Sequence, residues 1–282
     1  MKLISEKDWI KKIVELEKRA NKEKKATKKQ LEKELINVIR RNIPDKKFGI
    51  LFSGGVDSTL IALICKKLKT DFVCYSVGLE GSPDLVWARE IAKKYDFNHK
   101  INILKLKDME ALFKKTKKNL KHVDTLSVGV GSVLVSAIEL AKKDKINTLF
   151  TGMGSEEIFA GYHFHDEAED VHGECWKRLK TMWQRDMFRD FSIANAMNVE
   201  LVSPFLDEDL MLTAMRIPAK KKIDKKNKKI ILREVAEDLG LAKKYAWRPK
   251  KAAQYGSYFD KCIEKLAKQK GFIFKKDYIA QL

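Results

Sequence analysis

The sequence lacks the features that mark membrane, secreted and disulfide-stabilised proteins. It contains no apolar run of about 18 residues or more, so no helical membrane span is predicted. Residues 1–12 alternate charged and apolar types and have no hydrophobic stretch of the kind found in signal peptides. The four cysteines are scattered and form no C-x-x-C pair. Because such cysteines are typical of free thiols in a reducing compartment, we expect a cytoplasmic protein with no membrane partner.

Acidic residues are few compared with basic ones. The 282 residues include 58 lysines and arginines but 39 aspartates and glutamates, which gives a net charge of +19. A basic balance is typical of proteins that bind nucleic acid. It is also typical of a lysine-rich solvated surface, as in proteins from hot environments. Because glutamates lie among the lysines along the chain, we favour the solvated surface and keep RNA as an alternative partner.

The pattern of apolar residues predicts alternating strands and helices in the middle of the chain. Short apolar runs predict buried strands, and amphipathic stretches predict helices between them. The predicted strands are 48–52, 71–77, 99–104 and 147–151, and the predicted helices are 57–68, 84–95, 108–120 and 132–142. This alternation predicts an α/β fold with a doubly wound parallel sheet.

Both ends of the chain are predicted to be helical. Residues 1–45 carry two apolar stripes separated by a lysine-rich turn, and we expect a helical N-terminal extension whose simplest role is packing. Residues 46–165 form the predicted α/β core. From residue 155 onward the sequence predicts helices and no further strand. Residues 166–282 are therefore predicted as a helical C-terminal part of the same unit.

The first predicted strand runs directly into the sequence S-G-G-V-D-S-T at residues 53–59. Two glycines let the backbone turn tightly and approach a ligand closely. The helix that follows offers unpaired N–H groups and a positive dipole end to an anion. The hydroxyls of Ser53 and Ser58 add donors, whereas Asp57 would repel phosphate and is better suited to hold a bridging Mg²⁺. The pattern predicts a phosphate-binding loop, and a glycine-rich turn without a ligand is the weaker alternative.

One residue type is missing from this loop. The lysine of the G-x-x-x-x-G-K-[ST] motif is absent, which excludes a P-loop of the kinase or GTPase type. The segment instead resembles the S-G-G-x-D-S loop of the PP-loop, or N-type, ATP pyrophosphatases. Those enzymes split ATP into AMP and pyrophosphate and adenylylate their substrate. Several families share the loop, so the loop alone does not select among them.

Further segments resemble the asparagine synthetases and follow the order of that family. They are S-V-G-L-E-G-S-P-D-L (76–85), T-G-M-G-S-E-E-I-F-A-G-Y (151–162), R-D and a further arginine (185–189), E-L-V-S-P-F-L-D (200–207), K-I-I-L-R-E (229–234) and W-R-P-K-K (247–251). Together they identify the chain as similar to an asparagine synthetase-type synthetase domain. The resemblance implies an adenine nucleotide alpha hydrolase-like fold and an ATP-dependent carbon–nitrogen ligase.

The resemblance also implies which residues bind ATP. The residues expected to cradle the β- and γ-phosphates and their metal are Ser53, Gly54, Gly55, Asp57 and Ser58. The residues expected to line the adenosine pocket are Phe52, Val77, Thr151 and Gly152.

Four charged residues have a role in the chemistry in this interpretation. Asp57 and Glu156 match the metal-binding carboxylates of the family, with Glu156 a longer version of an aspartate. Glu157 is expected either to support Glu156 or to act as an alternate metal ligand. Lys229 matches a lysine that stabilises the charge on departing pyrophosphate. We expect Lys229, Asp57 and Glu156 to be catalytic, and ATP and Mg²⁺ to be the cofactors.

The sequence departs from the family in its expected nitrogen source. Family members usually begin with a glutaminase domain whose catalytic cysteine follows the initiator methionine. Here Lys2 stands at that position, and fewer than about 50 residues precede the first predicted strand. We expect no glutaminase domain, and nitrogen from free ammonia, another amine or a separate glutaminase subunit.

The sequence also departs from the family at residues that handle the acceptor substrate. Met153 replaces a glutamate of the family, and it cannot relay a proton. Ser127 and Val202 replace two arginines, of which the first lies near the carboxylate-bearing substrate in the family. ATP-handling residues are therefore retained while acceptor-handling residues are changed. We expect an acceptor other than aspartate.

Three functions are compatible with these residues. The leading one is a ligase that activates a carboxylate as its acyl-adenylate for attack by ammonia or an amine. The second is an RNA-modifying PP-loop enzyme, which the charge of +19 favours. The third is a non-catalytic nucleotide-binding or partner-binding subunit, which Met153 and Ser127 favour. The sequence leaves the oligomeric state open, a homo-oligomer included.

Overall fold

The computed structural model describes residues 3–249 and 251–282. Within these residues a parallel sheet of five strands forms the centre of the fold, in the spatial order β3-β2-β1-β4-β5. The strands are β1 (Phe48–Leu51), β2 (Phe72–Leu79), β3 (His99–Leu104), β4 (Thr148–Phe150) and β5 (Glu200–Val202). Strand order reverses around β1, which is the first strand of the sheet. The predicted α/β fold with a doubly wound parallel sheet is confirmed.

Helices surround the sheet and make up the two ends of the chain. They are α1 (Glu6–Lys22), α2 (Lys28–Asn42), α3 (Val56–Lys67), α4 (Pro83–Tyr95), α5 (Leu106–Lys118), α6 (Thr125–Lys143), α7 (Ser155–Ile158), α8 (Val171–Met182), α9 (Phe188–Ala196), α10 (Glu208–Met215), α11 (Ile230–Asp238), α12 (Lys243–Ala246), α13 (Ala253–Gly256), α14 (Phe259–Gln269) and α15 (Lys275–Gln281). A π-helical turn, Trp183–Met187, joins α8 to α9. Three short 3₁₀ turns are His163–His165, Pro204–Leu206 and Ala219–Lys221.

The prediction of no strand after residue 155 is wrong. Strand β5 is three residues long and pairs with β4, so that Leu201 lies opposite Leu149. A run of three residues is too short to produce a readable alternation of apolar and polar side chains. The strand also ends two residues before Pro204, in a segment that the sequence alone does not distinguish from a loop.

Helix α6 begins seven residues earlier than the start predicted at residue 132. Asp124 caps it, because its side chain accepts a hydrogen bond from the Ser127 N–H at 2.7 Å. The prediction assigned no helix to residues 125–131, where two glycines interrupt the pattern of apolar residues. Gly131 is helical for a packing reason: a Cβ at this position would lie 2.9 Å from Ile193 Cδ1 and 3.0 Å from Thr116 Cγ2.

Helix α6 is also long and apolar enough, by length and composition alone, to cross a membrane. The structure explains this composition differently, because just over half of the 18-residue apolar stretch of α6 is buried inside the protein. Helix α6 packs against α5, α9 and β2. An apolar core helix passes the same test of length and composition.

The N-terminal region forms two helices that are packed into the rest of the molecule. Ser5 caps α1, and Thr27 with Gln30 forms a capping box at the start of α2. Helix α1 packs against α8 and α10, and α2 packs against α3, α10 and α11. The fully buried Trp9 donates a hydrogen bond from Nε1 to the Leu179 carbonyl at 2.7 Å.

Candidate functional site

The loop between β1 and α3 lies at the carboxyl end of the central strand. In open parallel sheets this edge, where strand order reverses, is where ligands bind. Gly54 has a φ of +65°, a conformation that favours glycine, and a Cβ there would lie 2.8 Å from the Ala88 backbone nitrogen. The Gly55 N–H donates to Ser53 Oγ at 3.3 Å, and Ser58 Oγ donates to the Gly55 carbonyl at 3.3 Å. The predicted loop residues are thus held together in one turn at the start of α3.

Arg248 fixes this loop from outside. Its Nε donates to the Gly54 carbonyl at 2.6 Å, and its Nη2 donates to the Ser53 carbonyl at 2.9 Å. The side chain is buried, with Asp84 Oδ1 3.4 Å from Nη2. A planar guanidinium can bind two carbonyls and a carboxylate at fixed angles. The sequence analysis included the W-R-P-K-K segment in the resemblance to the asparagine synthetases but did not select Arg248 itself.

The segment that carries Arg248 lies along the edge of the sheet formed by the carboxyl ends of the strands. We call residues 247–249 and 251–258 the C-terminal strap; Lys250 lies outside the described residues. The Leu79 N–H at the end of β2 donates to the Ser257 carbonyl at 3.1 Å. A Cβ added to Gly129, near the start of α6, would lie 3.3 Å from Gln254 Cβ. The strap therefore connects the phosphate-binding loop with the N-terminal end of α6.

Lys229 joins the loop to the segment after β4. Its Nζ lies 2.8 Å from Asp57 Oδ1, 2.9 Å from Glu156 Oε1 and 2.9 Å from Ser155 Oγ. Lys229 and Asp57 are each 3% exposed, so both charges are removed from water and stabilise each other. The structure thus brings together the three residues predicted to be catalytic. Ser155 is a fourth member that sequence reasoning did not select, although it lies in the T-G-M-G-S-E-E motif.

Backbone geometry at Lys229 and Gly161 maintains this arrangement. Lys229 has a φ of +56° and precedes α11, a conformation that costs a residue with a Cβ about 1–2 kcal/mol. Strained backbone of this kind persists where surrounding contacts determine it, and it is common at functional sites. A Cβ at Gly161 would overlap the Glu156 carboxylate and lie 2.5 Å from Lys229 Cε. Glycine at position 161 is therefore needed for the close approach of Glu156 and Lys229.

Glu157 takes part in a different network from its neighbour Glu156. Its Oε1 accepts hydrogen bonds from the Tyr162 hydroxyl at 2.8 Å and from Arg185 Nη2 at 3.1 Å. Burial, together with the nearby Asp186 carboxylate, raises the pKa of Glu157 to about 7. Arg185 lies in the π-helical turn, a feature that is frequent at functional sites. These contacts favour a supporting role for Glu157, one of the two roles expected from the sequence, and its role as a metal ligand stays a prediction.

The four residues expected to line the adenosine pocket lie in or just after strands β1, β2 and β4. Gly152 lies beside Asp57, since a Cβ at Gly152 would be 3.0 Å from Asp57 Cβ. The Thr151 N–H donates to the Val202 carbonyl at 2.9 Å, so this segment extends β4 along β5. Phe52 and Val77 are buried, and the ring of Phe52 packs in the core with ring centroids 5.9 Å from Phe97 and 5.5 Å from His99.

The donor atoms at this site fit Mg²⁺. Asp57 and Glu156 provide carboxylate oxygens, which are the ligands that hard divalent cations prefer. Both oxygens already contact one cation, the Lys229 ammonium, at 2.8 and 2.9 Å. Within the described residues, another group of carboxylates close enough to share an ion is formed by Glu34, Asp207 and Asp209. There Arg41 pairs with all three carboxylates, which accounts for the cluster without a metal.

Comparison with known proteins assigns the chain to a family. The model of the family described as asparagine synthase matches residues 30–172 and 165–271, which is most of the chain. The chain belongs to the asparagine synthase family. The predicted resemblance is confirmed, and the matched residues include the phosphate-binding loop, Glu156 and Lys229.

Relatives in this family are longer than the chain. An asparagine synthetase homologue of Methanocaldococcus jannaschii is 32% identical over 88% of this chain and 53% of its own length. The glutamine-hydrolyzing asparagine synthetase of Gallus gallus is 30% identical over 87% of this chain and 45% of its own length. That of Cricetulus griseus is 32% identical over 78% of this chain and 41% of its own length. The chain thus spans about half the length of the curated relatives that it matches.

Two solved structures show a more distant likeness. The NH3-dependent NAD synthetase of Campylobacter jejuni matches with a TM-score of 0.36 and 16% identity, over 48% of this chain and 61% of its own. The NMN synthetase of Francisella tularensis matches with a TM-score of 0.36 and 15% identity, over 80% of this chain and 99% of its own.

Proposed function

We propose that the chain is an ATP-dependent carbon–nitrogen ligase that forms AMP and pyrophosphate. It activates a carboxylate as the acyl-adenylate, which ammonia or an amine then attacks. The observation that carries this proposal is Lys229, whose ammonium lies between Asp57 and Glu156 beside the phosphate-binding loop. A protein that only senses a nucleotide would not need a buried cation aimed at the departing phosphates.

The arrangement supports binding of ATP with its triphosphate on the loop. The N–H groups at the start of α3 and the hydroxyls of Ser53 and Ser58 suit the β- and γ-phosphates. Lys229 would stabilise the negative charge that develops on pyrophosphate as it departs. Arg248 holds the loop through two carbonyls, so the donors are oriented before ATP binds.

Asp57 and Glu156 would hold Mg²⁺ in this proposal. When bound, the ion supplies positive charge that neutralises the phosphate oxygens. Glu157, hydrogen-bonded to Tyr162 and Arg185, would keep the segment that carries Glu156 in place.

The N-terminal end of α6 supports an acceptor other than aspartate. In the family an arginine stands at the position of Ser127, near the acidic substrate. Here the Ser127 hydroxyl donates to Asp124 Oδ2 at 2.9 Å, while Asp124 Oδ1 accepts from the Ser127 N–H. The end of the helix that would attract an anion therefore already carries a carboxylate of the protein. We infer that an acceptor group bound here is neutral or cationic.

The nitrogen source remains part of the proposal. Free ammonia, another amine, and ammonia from a separate glutaminase subunit each suit an activated carboxylate. A cytoplasmic location and binding to small-molecule substrates are proposed with the same function. None of these steps depends on the oligomeric state of the protein.

ATP–pyrophosphate exchange tests the role of Lys229. We expect Lys229→Met to lower the exchange rate about 100-fold or more, as for loss of a group that stabilises charge in the transition state. Lys228→Met is the matched control, because Lys228 is a neighbouring lysine that pairs with Asp166 in a more exposed position. Equal rates for Lys229→Met and the native protein would contradict the proposal.

A panel of carboxylates and amines tests the acceptor. AMP formation is measured with each compound in turn, with and without aspartate. We expect AMP formation to be stimulated by a carboxylate that is neutral or cationic at the end distant from the reacting group. Strong dependence on aspartate would contradict the inference from Asp124 and Ser127. No AMP formation with any pair would favour a non-catalytic nucleotide-binding subunit.

A further inference from the structure

The edge of the sheet opposite the phosphate-binding loop is rich in lysine. Because all five strands are parallel, their amino ends lie along this edge, and helices α3, α4 and α6 end there. The lysines of the connections at this edge are Lys46, Lys47, Lys66, Lys67, Lys69, Lys93, Lys94, Lys100, Lys142, Lys143 and Lys145, and all are exposed. We call this set the basic edge. The aspartates of the same connections are Asp45, Asp71, Asp96 and Asp144.

Contacts between neighbouring connections show that the basic edge is one surface. Lys47 pairs with Asp71 at 2.9 Å, which links the starts of β1 and β2. Lys66 pairs with Asp96 at 3.1 Å, which links the ends of α3 and α4. In the same way, Lys100 at β3 pairs with Asp144 at the end of α6. With strands about 4.8 Å apart, five strands give the surface a width of roughly 20 Å.

Most of the charge on this surface is not neutralised within the protein. Eight of its lysines have no ion-pair partner among residues 3–249 and 251–282: Lys46, Lys67, Lys69, Lys93, Lys94, Lys142, Lys143 and Lys145. Lysines in the last turn of a helix stabilise the helix dipole, which accounts for those at the ends of α3, α4 and α6. The helix dipole does not account for the lysines that lie outside the helices, in the loops that connect them to the strands.

Two of those lysines occupy backbone positions that favour other residues. Lys69 and Lys145 have φ values of 55° and 60°, where glycine or asparagine is usual. A lysine in this conformation costs about 1 kcal/mol or more. Both side chains are exposed, so burial does not explain them. A ligand that binds ammonium groups would explain lysine at these two positions.

The surface lacks the side chains needed for base stacking or insertion into lipid. Among the described residues, the exposed large hydrophobic side chains are Ile4, Ile10, Val86, Ile103, Leu126, Phe164, Tyr255, Ile273 and Phe274. None of these lies in the connections that form the basic edge. Proteins that bind single strands use aromatic side chains, and helices that insert into membranes use apolar ones. What remains is attraction to a regular array of phosphates.

We propose that the basic edge binds the phosphate backbone of duplex nucleic acid. The bound duplex lies on the side of the sheet opposite the phosphate-binding loop, so it is a binding partner of the enzyme and not the molecule that is adenylylated. Recognition is independent of sequence, because lysine contacts to phosphates carry no sequence information. The proposal does not depend on the proposed function and extends beyond it.

Binding to labelled duplexes of about 16 base pairs tests the proposal, with one duplex of RNA and one of DNA. Binding is measured by fluorescence anisotropy between roughly 50 and 200 mM salt. The test variant replaces Lys67, Lys69, Lys143 and Lys145 by glutamine. The matched control replaces Lys7, Lys11, Lys18 and Lys22 of α1 by glutamine, which removes the same charge from exposed positions on another face. A third variant replaces the four lysines of the test variant by arginine and keeps their charge.

We expect the test variant to bind at least one duplex about tenfold more weakly or worse, with a salt slope lower by roughly 3–4. The control and the arginine variant should bind like the native protein. A preference between the two duplexes identifies the nucleic acid. Equal weakening in the test variant and the α1 control would overturn the proposal, because net charge alone would then explain binding. Absence of duplex binding, or tighter binding to anionic phospholipid vesicles with the same sensitivity to the four substitutions, would overturn it too.

Discussion

Lys222 is a buried lysine that the proposed chemistry does not use. It is fully buried, and its Nζ donates to Met215 Sδ at 3.5 Å. Burial lowers the pKa of Lys222 to about 8. The titratable groups nearest to it give little compensation, because burial keeps the Cys175 thiol neutral and lowers the pKa of His172 to about 4. A charged lysine at neutral pH therefore destabilises the folded protein.

We predict that Lys222→Met stabilises the protein at pH 7. The pKa of Lys222 is lower in the folded protein than its ordinary 10.5, so the unfolded chain binds more protons between pH 8 and 10.5. Stability of the native protein should rise with pH across that range, by up to roughly 3 kcal/mol. The increase in the free energy of unfolding caused by Lys222→Met should be largest below pH 8 and vanish near pH 10.5. Urea unfolding at several pH values measures it, and the exposed Lys221→Met is the control that should show no such trend.

Gly161 gives a prediction about the site itself. A Cβ at this position would overlap the Glu156 carboxylate and crowd Lys229. We expect Gly161→Ala to separate these two residues and to lower ATP–pyrophosphate exchange by about 100-fold, the size of effect expected for a displaced catalytic group. Gly271→Ala is a useful contrast, because Gly271 has a φ of +81° and open space around it. That change should cost about 1 kcal/mol of stability and leave exchange intact, so equal exchange rates in the two variants would contradict the prediction.

At the scale of single elements, long periodic segments were predictable and short ones were not. Strand β3 was predicted with the bounds that the structure shows, because residues 100–103 alternate polar and apolar types and the flanking helices are amphipathic. Strand β5 was missed because three residues carry no readable period. The start of α6 was missed because Gly131 is required by packing against Ile193 and Thr116, which the sequence does not reveal.

The site follows the same rule. Asp57 could be selected from the sequence because the phosphate-binding loop itself carries the chemistry, whereas Glu156 was selected through the resemblance to a family. Their pairing with Lys229, which is 172 residues from Asp57, depended on the resemblance to a family. The difference between Glu156, which contacts Lys229, and Glu157, which contacts Arg185, depends on the direction of each side chain. Only the fold supplies that information.

The C-terminal strap gives a prediction at this scale. Arg248 binds two loop carbonyls and Asp84 with one planar group, a geometry that lysine cannot reproduce. We expect Arg248→Lys to raise the KM for ATP and to lower ATP–pyrophosphate exchange about tenfold or more, because the loop donors are then less well oriented. Arg89→Lys is the control, since Arg89 forms an exposed pair with Glu80. A change confined to thermal stability, with unchanged kinetics, would show that Arg248 is structural only.

At the scale of the whole molecule, the core is continuous from the N-terminal helices to the C-terminal ones. Trp9, Leu31, Ile50, Phe150 and Tyr278 belong to one cluster of buried side chains. The two sequence-predicted outer segments, 1–45 and 166–282, contact each other through α1 with α8 and α10. The segment boundaries predicted from sequence stay predictions, but this packing indicates that the segments fold together.

Trp9 tests whether the N-terminal helices fold with the rest. We predict that Trp9→Ala lowers the free energy of unfolding by about 3–5 kcal/mol, because it leaves a cavity and removes the hydrogen bond to the Leu179 carbonyl. As denaturant is added, far-UV circular dichroism and ATP–pyrophosphate exchange should be lost in one transition. The substitution should lower the midpoints of both by the same amount. Ile10→Ala, on the exposed side of the same helix, should cost less than about 1 kcal/mol. If α1 instead melted separately and the exchange midpoint stayed unchanged, residues 1–45 would be an independent appendage and the cooperative core would begin at β1.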